Sequence, residues 1–362
     1  MRVLIVLNEN PLGSHPDVYE AFENLMAEGL ISGYDVIPFP HLRAQGVPDP
    51  GIVETIRGAV LAGGHGLVIW MHTGSLVVPD DVLNAIKESP GRPKMAYWEG
   101  DSYHPWYKPL PRPMAAIMRR CDAVFMPCGG PVLKTLRAAG VQRVLYAPSC
   151  ASGTRFPHVW RADEPHEHDI VVVGNRVSSR VPFKTMPGAR HRAALVRALV
   201  KRYGRRVAVY GTGWTGPSAM GPIAFDEQSA VYRKSRVTVG VNNSTYPYVF
   251  SNRLPITMAT GVPLLYRRNP GFDVVFPEDL QDSFFSSPGD LYDGVDRILA
   301  EDAGTLEARS RAGREFFERG LERYAVARLV VRETLYVRSG RSSRGSAPTW
   351  MHLCQLLGEA HR

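Results

Sequence analysis

The amino-acid sequence predicts an α/β protein made of two doubly wound parallel-sheet domains in tandem, and three observations lead there. Short β-branched runs alternate with helical stretches from the first residues onward, the pattern of strand–helix–strand crossovers. The alternation stops near residue 150, passes through the polar, proline-containing "RADEPHEH", and starts again at "DIVVVGN". A chain of 362 residues with 44% hydrophobic composition also exceeds the size at which one core usually gives way to two.

Taken in order, "RVLIVL" reads as the first strand. Its five apolar residues before Asn8 are too few for a secretion signal or a membrane span, so no stable membrane insertion is expected. "DVYEAFENLMAEGL", "IVETIRGAVLAGG", "PDDVLNAIKES", "PMAAIMRRC" and "PVLKTLRAAG" read as helices. Between them lie the strands "YDVIPF", "LVIWMHT", "KMAYWEG", "DAVFMPC" and "VLYAPS". The second set runs "DIVVVGN", "RAALVRALVKRYG", "RVAVYGTG", "FDEQSAVYRKS", "VTVGVNN", "LPITMATG" and "VPLLYRR", followed by terminal helices. The expected domains are 1–160 and 161–337, both Rossmann-like, with a linker near 155–168. In residues 338–362 a basic, flexible "RSGRSSRGSAP" precedes a terminal amphipathic helix whose apolar face carries Trp350, Leu353, Leu356 and Leu357. That helix either docks on its own protein or anchors to a membrane or partner.

The net charge of +8 and pI of 9.4 favour anionic ligands: sugar nucleotides, nucleic acid or acidic lipid headgroups. The arginines are scattered, so no nucleic-acid motif stands out. Cys121, Cys128, Cys150 and Cys354 form no CxxC pair and have no His at metal spacing, which points to buried free thiols, a reducing cytoplasmic compartment and no metal.

Open parallel sheets bind ligands outside the carboxyl ends of their strands. Two such domains would face their sites across one cleft, an arrangement suited to a two-substrate transfer that excludes water. In the second domain Gly174 and Asn175 stand at a strand end, followed by Arg176, Arg180 and Lys184, basic groups able to neutralise a diphosphate leaving group. Gly211 and Gly213 in "VAVYGTGW" would let backbone approach a ligand closely, with Trp214 placed to stack on a base. Asn242 follows the next strand, and "VFSNRLPITMATGVPLL" completes the set.

This ordered set resembles the GT-B glycosyltransferases of the group-1 type, and within them the CgeB-like branch; the likeness is good over 165–300 and holds only in outline before that. The resemblance implies two Rossmann-like domains, a nucleotide-sugar donor, a hydroxyl acceptor and no metal or further cofactor. It also implies a helix that begins near an arginine and carries a glutamate gripping the ribose. Arg253, Ala259 and Gly261 match that helix, whereas Ile256 replaces the glutamate and Tyr248 stands where the first glutamate of the E-x7-E motif would fall. An isoleucine cannot hydrogen-bond a ribose. Ser251, Asn252 and Thr257 remain as neutral polar groups at the helix start, where backbone N–H groups attract phosphate. Asn252 is equally readable as an N-cap.

On the acceptor side, the long loop "NENPLGSHPD" offers Gly13, Ser14 and His15 to the donor phosphates or the acceptor. His72 and the cluster "YWEGDSYHPW" also fall at strand ends. Asp101 is the first candidate base, with His72 and His15 behind it and Glu99 and His104 nearby. Each has a structural alternative: His15 as a helix cap, His72 as an interior hydrogen-bonded residue, Asp101 as a turn former. Trp98, Tyr103, Trp106 and Tyr107 are readable as stacking groups or as packing. The leading expectation is a cytoplasmic glycosyltransferase. The alternatives are transfer to hydroxymethylated bases in DNA, or a catalytically silent nucleotide- or sugar-binding module.

Overall fold

The computed structural model describes residues 1–177, 181 and 184–335. The expected flexible segment and terminal helix of 338–362, Cys354 and Arg180 lie outside the described residues. Two compact units emerge: Met1–Pro148 joined by the helix Arg323–Leu335, and Ser149–Glu322.

In the first unit the elements run β1 (Arg2–Leu7), α1 (Pro16–Ala27), β2 (Gly33–Pro38), α2 (Phe39–Ala44), α3 (Asp49–Gly63), β3 (His65–Met71), α4 (Asp80–Glu88), β4 (Lys94–Trp98), α5 (Arg112–Arg120), β5 (Ala123–Met126), α6 (Pro131–Ala138) and β6 (Val144–Tyr146). All strands are parallel, in the order β2-β1-β3-β4-β5-β6. Helices cover both faces, which is why β1 and β3 are apolar along nearly their whole length and buried.

The second unit repeats the plan with β7 (His168–Val173), α7 (Pro187–Tyr203), β8 (Val207–Tyr210), β9 (Ala219–Gly221), α8 (Gln228–Arg233), β10 (Ser235–Gly240), α9 (Arg253–Thr260), β11 (Leu264–Arg267), α10 (Phe272–Val275), β12 (Phe284–Phe285), α11 (Pro288–Ala300) and α12 (Ala303–Phe316). Its order is β12-β11-β10-β7-β8-β9, again all parallel. The expected pair of doubly wound sheets is therefore present. Strand order reverses at β1/β3 in one sheet and at β7/β10 in the other, the places where such sheets bind ligands.

The unit boundaries differ from 160 and 337. Residues 149–160 belong with the second unit because Trp160 donates its indole N–H to the Ser235 carbonyl at 2.8 Å, and Val159 and Trp160 donate backbone N–H groups to Thr260. The last described helix, α13 (Arg323–Leu335), returns to the first unit. There Arg323 pairs with Asp17 at 2.6 Å, Arg328 with Glu28 at 2.5 Å, and Arg143 with Glu333 at 3.2 Å. Tertiary ion pairs of this kind leave no periodic signal in sequence.

Candidate functional site

In the first unit the candidate residues converge on the carboxyl edge of the sheet. Leu7 is in register with Met71, and Met71 with Trp98, so the loops after β1, β3 and β4 leave side by side. The Asn8 amide stitches the switch point by donating to the His72 carbonyl at 2.8 Å. His72 has φ 47, in the left-handed region that non-glycine residues rarely occupy, and is held there by its neighbours. The next residue, Thr73, is fully buried, and its backbone N–H and hydroxyl both meet the Tyr97 phenol, at 2.8 and 2.9 Å.

Glu99 is fully buried, and its Oε1 lies 2.6 Å from His72 Nδ1 while accepting the Asp101 backbone N–H at 2.9 Å. The carboxylate raises the His72 pKa above the ordinary histidine value, chiefly through this hydrogen bond and against the opposing effect of burial. The imidazole remains 39% exposed, leaving Nε2 on the far side of the ring from Glu99. A ring nitrogen oriented by a buried carboxylate, with the other nitrogen available, is the arrangement of a general base.

Asp101 is placed differently. Its carboxylate is bound by the Lys108 ammonium at 2.5 Å, so one oxygen is already occupied by a partner on its own loop. Ligand atoms of His72, Glu99 and Asp101 lie within 4.8 Å of one another, close enough to share a cation, and Lys108 already brings positive charge to that group. His15 stands at the N-cap position of α1 but makes no side-chain cap; its backbone N–H donates to buried Glu9 at 2.9 Å, and Tyr19 donates to the same carboxylate at 2.6 Å. Gly13 takes φ 83 in this loop, a backbone state that requires glycine. His104 organises its own turn, with Nδ1 accepting the Trp106 and Tyr107 N–H groups at 3.0 and 3.2 Å. Of the aromatics, Trp98 and Tyr103 are buried, the former under Arg323 and the latter under Lys108, and Tyr107 packs on His104. Trp106 is the one largely exposed.

In the second unit the focus is Arg192, on the first turns of α7. It is 3% exposed, yet its guanidinium meets only carbonyls: Val241 after β10, at 3.2 and 2.6 Å, and Asn175 after β7, at 3.0 Å. It therefore spans the β7/β10 switch point. Burial pushes its pKa down to about 10, with the Arg253 charge acting the same way, so it stays cationic at neutral pH. Among the described residues, no carboxylate pairs with Arg176, Lys184, Arg192 or Arg253. A buried guanidinium without a counter-charge is costly alone and is relieved by an anion. Sequence reasoning missed Arg192 because it sits in the basic run "GARHRAALVRALVKRY", where nothing but burial separates it from surface arginines.

Gly211 and Gly213 are required by the chain's own packing. A Cβ on Gly211 would stand 2.6 Å from the Gly174 carbonyl oxygen, and one on Gly213 would stand 3.1 Å from that of Arg176, so the chain itself fills the space. These glycines lay the turn after β8 on the loop after β7. Trp214 joins the same packing by donating its indole N–H to Gly174 at 2.6 Å, and the Asn175 side chain accepts from Thr212 at 3.0 Å. Asn242 accepts the N–H of Asn243 at 2.7 Å, and its carbonyl lies against Gly188 of α7.

Helix α9 is buried from Leu254 to Thr260, including Ile256 at 0% exposure. Ile256 is thus a core residue, and no ribose-binding side chain is presented from its position. Tyr248 has φ 67, and its ring packs over Gly271. Asn252 occupies the N-cap position with helical backbone angles and makes no side-chain cap, so the capping alternative fails on geometry. The Thr257 hydroxyl donates to the Arg253 carbonyl at 2.7 Å, and Ser251 meets the Tyr266 phenol at 3.3 Å. Ser251, Arg253, Thr257, Gly240 and Tyr266 line a small recess.

Comparison with known proteins bears on this arrangement. Residues 190–328 match the family model described as glycosyl transferase-like. No protein of curated function matches the chain. Among solved structures, a glycosyltransferase from Rickettsia africae ESF-5 superposes with a TM-score of 0.58 at 11% identity, covering 93% of this chain and 99% of that one. A sucrose-phosphate synthase from Thermosynechococcus elongatus gives 0.52 at 15% identity, covering 94% and 100%. The Anabaena protein HepE, in complex with UDP and glucose, gives 0.53 at 12% identity, covering 92% and 98%. No helix among the described residues is long and apolar enough to cross a membrane. The chain therefore has the GT-B glycosyltransferase fold, two parallel six-stranded sheets with flanking helices, and its second unit carries the glycosyl transferase-like match.

Proposed function

We propose that this chain is a glycosyltransferase that moves a sugar from a nucleotide-sugar donor to a hydroxyl acceptor with inversion, the second unit holding the donor and the first supplying the base. The carrying observation is the 2.6 Å contact between His72 Nδ1 and buried Glu99 at a sheet switch point. In the reaction, His72 Nε2 takes the acceptor proton as the acceptor oxygen bonds to the anomeric carbon. The bond from that carbon to the donor phosphate breaks, and its electron pair leaves with the nucleoside diphosphate. The negative charge gathering on that leaving group is met by Arg192, Arg253, Arg176 and Lys184, without a metal. His72 takes precedence over Asp101 because a buried carboxylate orients its ring, whereas the Asp101 carboxylate is engaged by Lys108.

The HepE complex with UDP and glucose supports a uridine nucleotide sugar as the first donor to try. Arg253, Ala259 and Gly261 support placement in the CgeB-like branch, a pattern from which Ile256 departs, and the buried thiols Cys121, Cys128 and Cys150 support a cytoplasmic setting. A silent binding module is the second reading, favoured by the burial of Ile256 where the ribose carboxylate would stand. The deciding experiment is release of nucleoside diphosphate from a panel of nucleotide sugars, with and without acceptors, hydroxymethylated duplex DNA among them. Turnover that disappears in His72→Ala supports the transferase. Donor binding without release by the wild type leaves the binding module.

A further inference from the structure

His72 has an unusual backbone before its ring is considered. At φ 47 its Cβ crowds the main chain, a conformation that an unrestrained histidine leaves. The peptide group between His72 and Thr73 is planar, so its carbonyl and its N–H point in opposite directions and turn together. The carbonyl accepts the Asn8 side-chain amide at 2.8 Å, and the N–H donates to the Tyr97 phenol oxygen, also at 2.8 Å. Asn8 follows β1 and Tyr97 lies in β4, the two strands that flank β3. Past Met71, where β3 stops, two side chains thus take over the lateral bonding that the main chain supplies along the strand. Gripped at both polar ends, this peptide plane cannot rotate without breaking a bond, and the plane sets ψ of His72.

Tyr97 suits this task. It is fully buried, and burial, with the Glu99 charge behind it, pushes its pKa well up, so it stays a neutral phenol. Its oxygen also meets the hydroxyl of Thr73 at 2.9 Å, and Thr73 is itself fully buried. The ring of His72 is held from the same strand end, by Glu99 at 2.6 Å. The end of β4 therefore takes hold of His72 twice, by its backbone and by its imidazole.

We propose that Tyr97 and Asn8 are positioning residues for His72: they clamp the His72–Thr73 peptide and so keep the imidazole on Glu99, acting through the base rather than on the substrate. The inference rests on the assignment of His72 as base and adds what holds that base in place. The competing role is that of ordinary fold contacts, which stabilise the unit without controlling the ring.

The test reads the ring itself and needs no donor. The full chain, carrying isotope-labelled histidine, is titrated with pH by NMR, the His72 signal being identified by its loss in His72→Gln. In the wild type His72 should titrate above the ordinary value of 6.5. In Asn8→Ala and in Tyr97→Phe it should titrate lower, toward that value and in the direction that Glu99→Gln also moves it, because a released backbone takes the ring off the carboxylate. Tyr97→Phe strands two buried Thr73 groups, whereas Asn8 is only partly buried, so Asn8→Ala is the variant that keeps the fold. Ser89→Ala removes a buried hydrogen bond at the end of α4 in the same unit; it should lower the melting temperature without moving the His72 titration. A titration that stays in place in folded Asn8→Ala, or that shifts as far in Ser89→Ala, would overturn the proposal. Nucleoside diphosphate release from UDP-glucose is followed on the same proteins. Turnover should drop about 10²-fold in Asn8→Ala at unchanged donor KM, the scale of a reacting group out of place. No release by the wild type, despite a titration that depends on Asn8, sinks the transferase reading alone. Release at the wild-type rate by Asn8→Ala sinks the positioning role alone.

Discussion

The two sheets share a topology and part company at their switch points. At β1/β3 the chain is closed by a neutral amide, Asn8 to the His72 carbonyl, and the ionisable groups beyond it are paired among themselves. At β7/β10 the closing group is a buried guanidinium, Arg192, which donates to two carbonyls and meets no carboxylate among the described residues. One edge carries the proposed proton acceptor on a buried carboxylate; the other carries a buried positive charge that no carboxylate among the described residues answers. The difference teaches that the same fold assigns acid–base work and anion binding by the residues at the strand ends, not by the sheet.

The sharpest way to break this contrast is at His72. His72→Ala should lower turnover by about 10² to 10⁴ while donor affinity stays within error, because the anion site belongs to the other unit. Steady-state rates with donor calorimetry on the same preparation check this; a joint loss of both would show that the division of labour is wrong. Next in size is Ile256→Glu. With Ile256 fully buried, an unpaired carboxylate there should cost about 3 to 5 kcal/mol, seen as a large drop in melting temperature that donor does not repair. A variant that melts normally and gains nucleotide affinity would place that side chain at the ligand instead.

Arg192→Met sharpens the other half of the comparison. Removing an uncompensated buried charge should leave the melting temperature of the free protein unchanged or higher. UDP affinity should nevertheless fall by about ten-fold or more, as expected for losing a charge-assisted hydrogen bond. Equal UDP affinity in the two proteins would make Arg192 purely structural.

The smallest expected effect is in the pH profile. Glu99 raises the His72 pKa, so the base is neutral, and the rate at its plateau, only as pH climbs through that raised value. Glu99→Gln removes the stabilising charge, and the acidic limb of the rate profile should move to lower pH. Stability moves oppositely: the contact favours protonated His72, so its contribution is full below the ordinary histidine value of 6.5 and is lost as pH rises through the raised one. A limb that stays in place in Glu99→Gln would detach His72 from the rate.

Alternation of apolar strands with amphipathic helices was enough to read both sheets from the chain, because a strand buried on two faces must be apolar throughout and its crossover helix must not be. The strand ends were legible for the same reason, and His72, Glu99 and Asp101 were in view. Their order of importance was not, since it turns on which carboxylate Lys108 reaches across a turn. Nor was the return of α13 to the first unit, which depends on Asp17 and Glu28 lying far away in sequence.

By itself, then, the sequence determined the fold class, the repeat of the plan and the loops from which chemistry would come, because periodicity records burial one residue at a time. Tertiary structure alone decided that Ile256 is core, that Gly211 and Gly213 serve the chain's own packing, and that Arg192 is buried with no carboxylate partner among the described residues. Each of these is a relation between segments brought together only by folding, and local pattern carries no term for the distance between them.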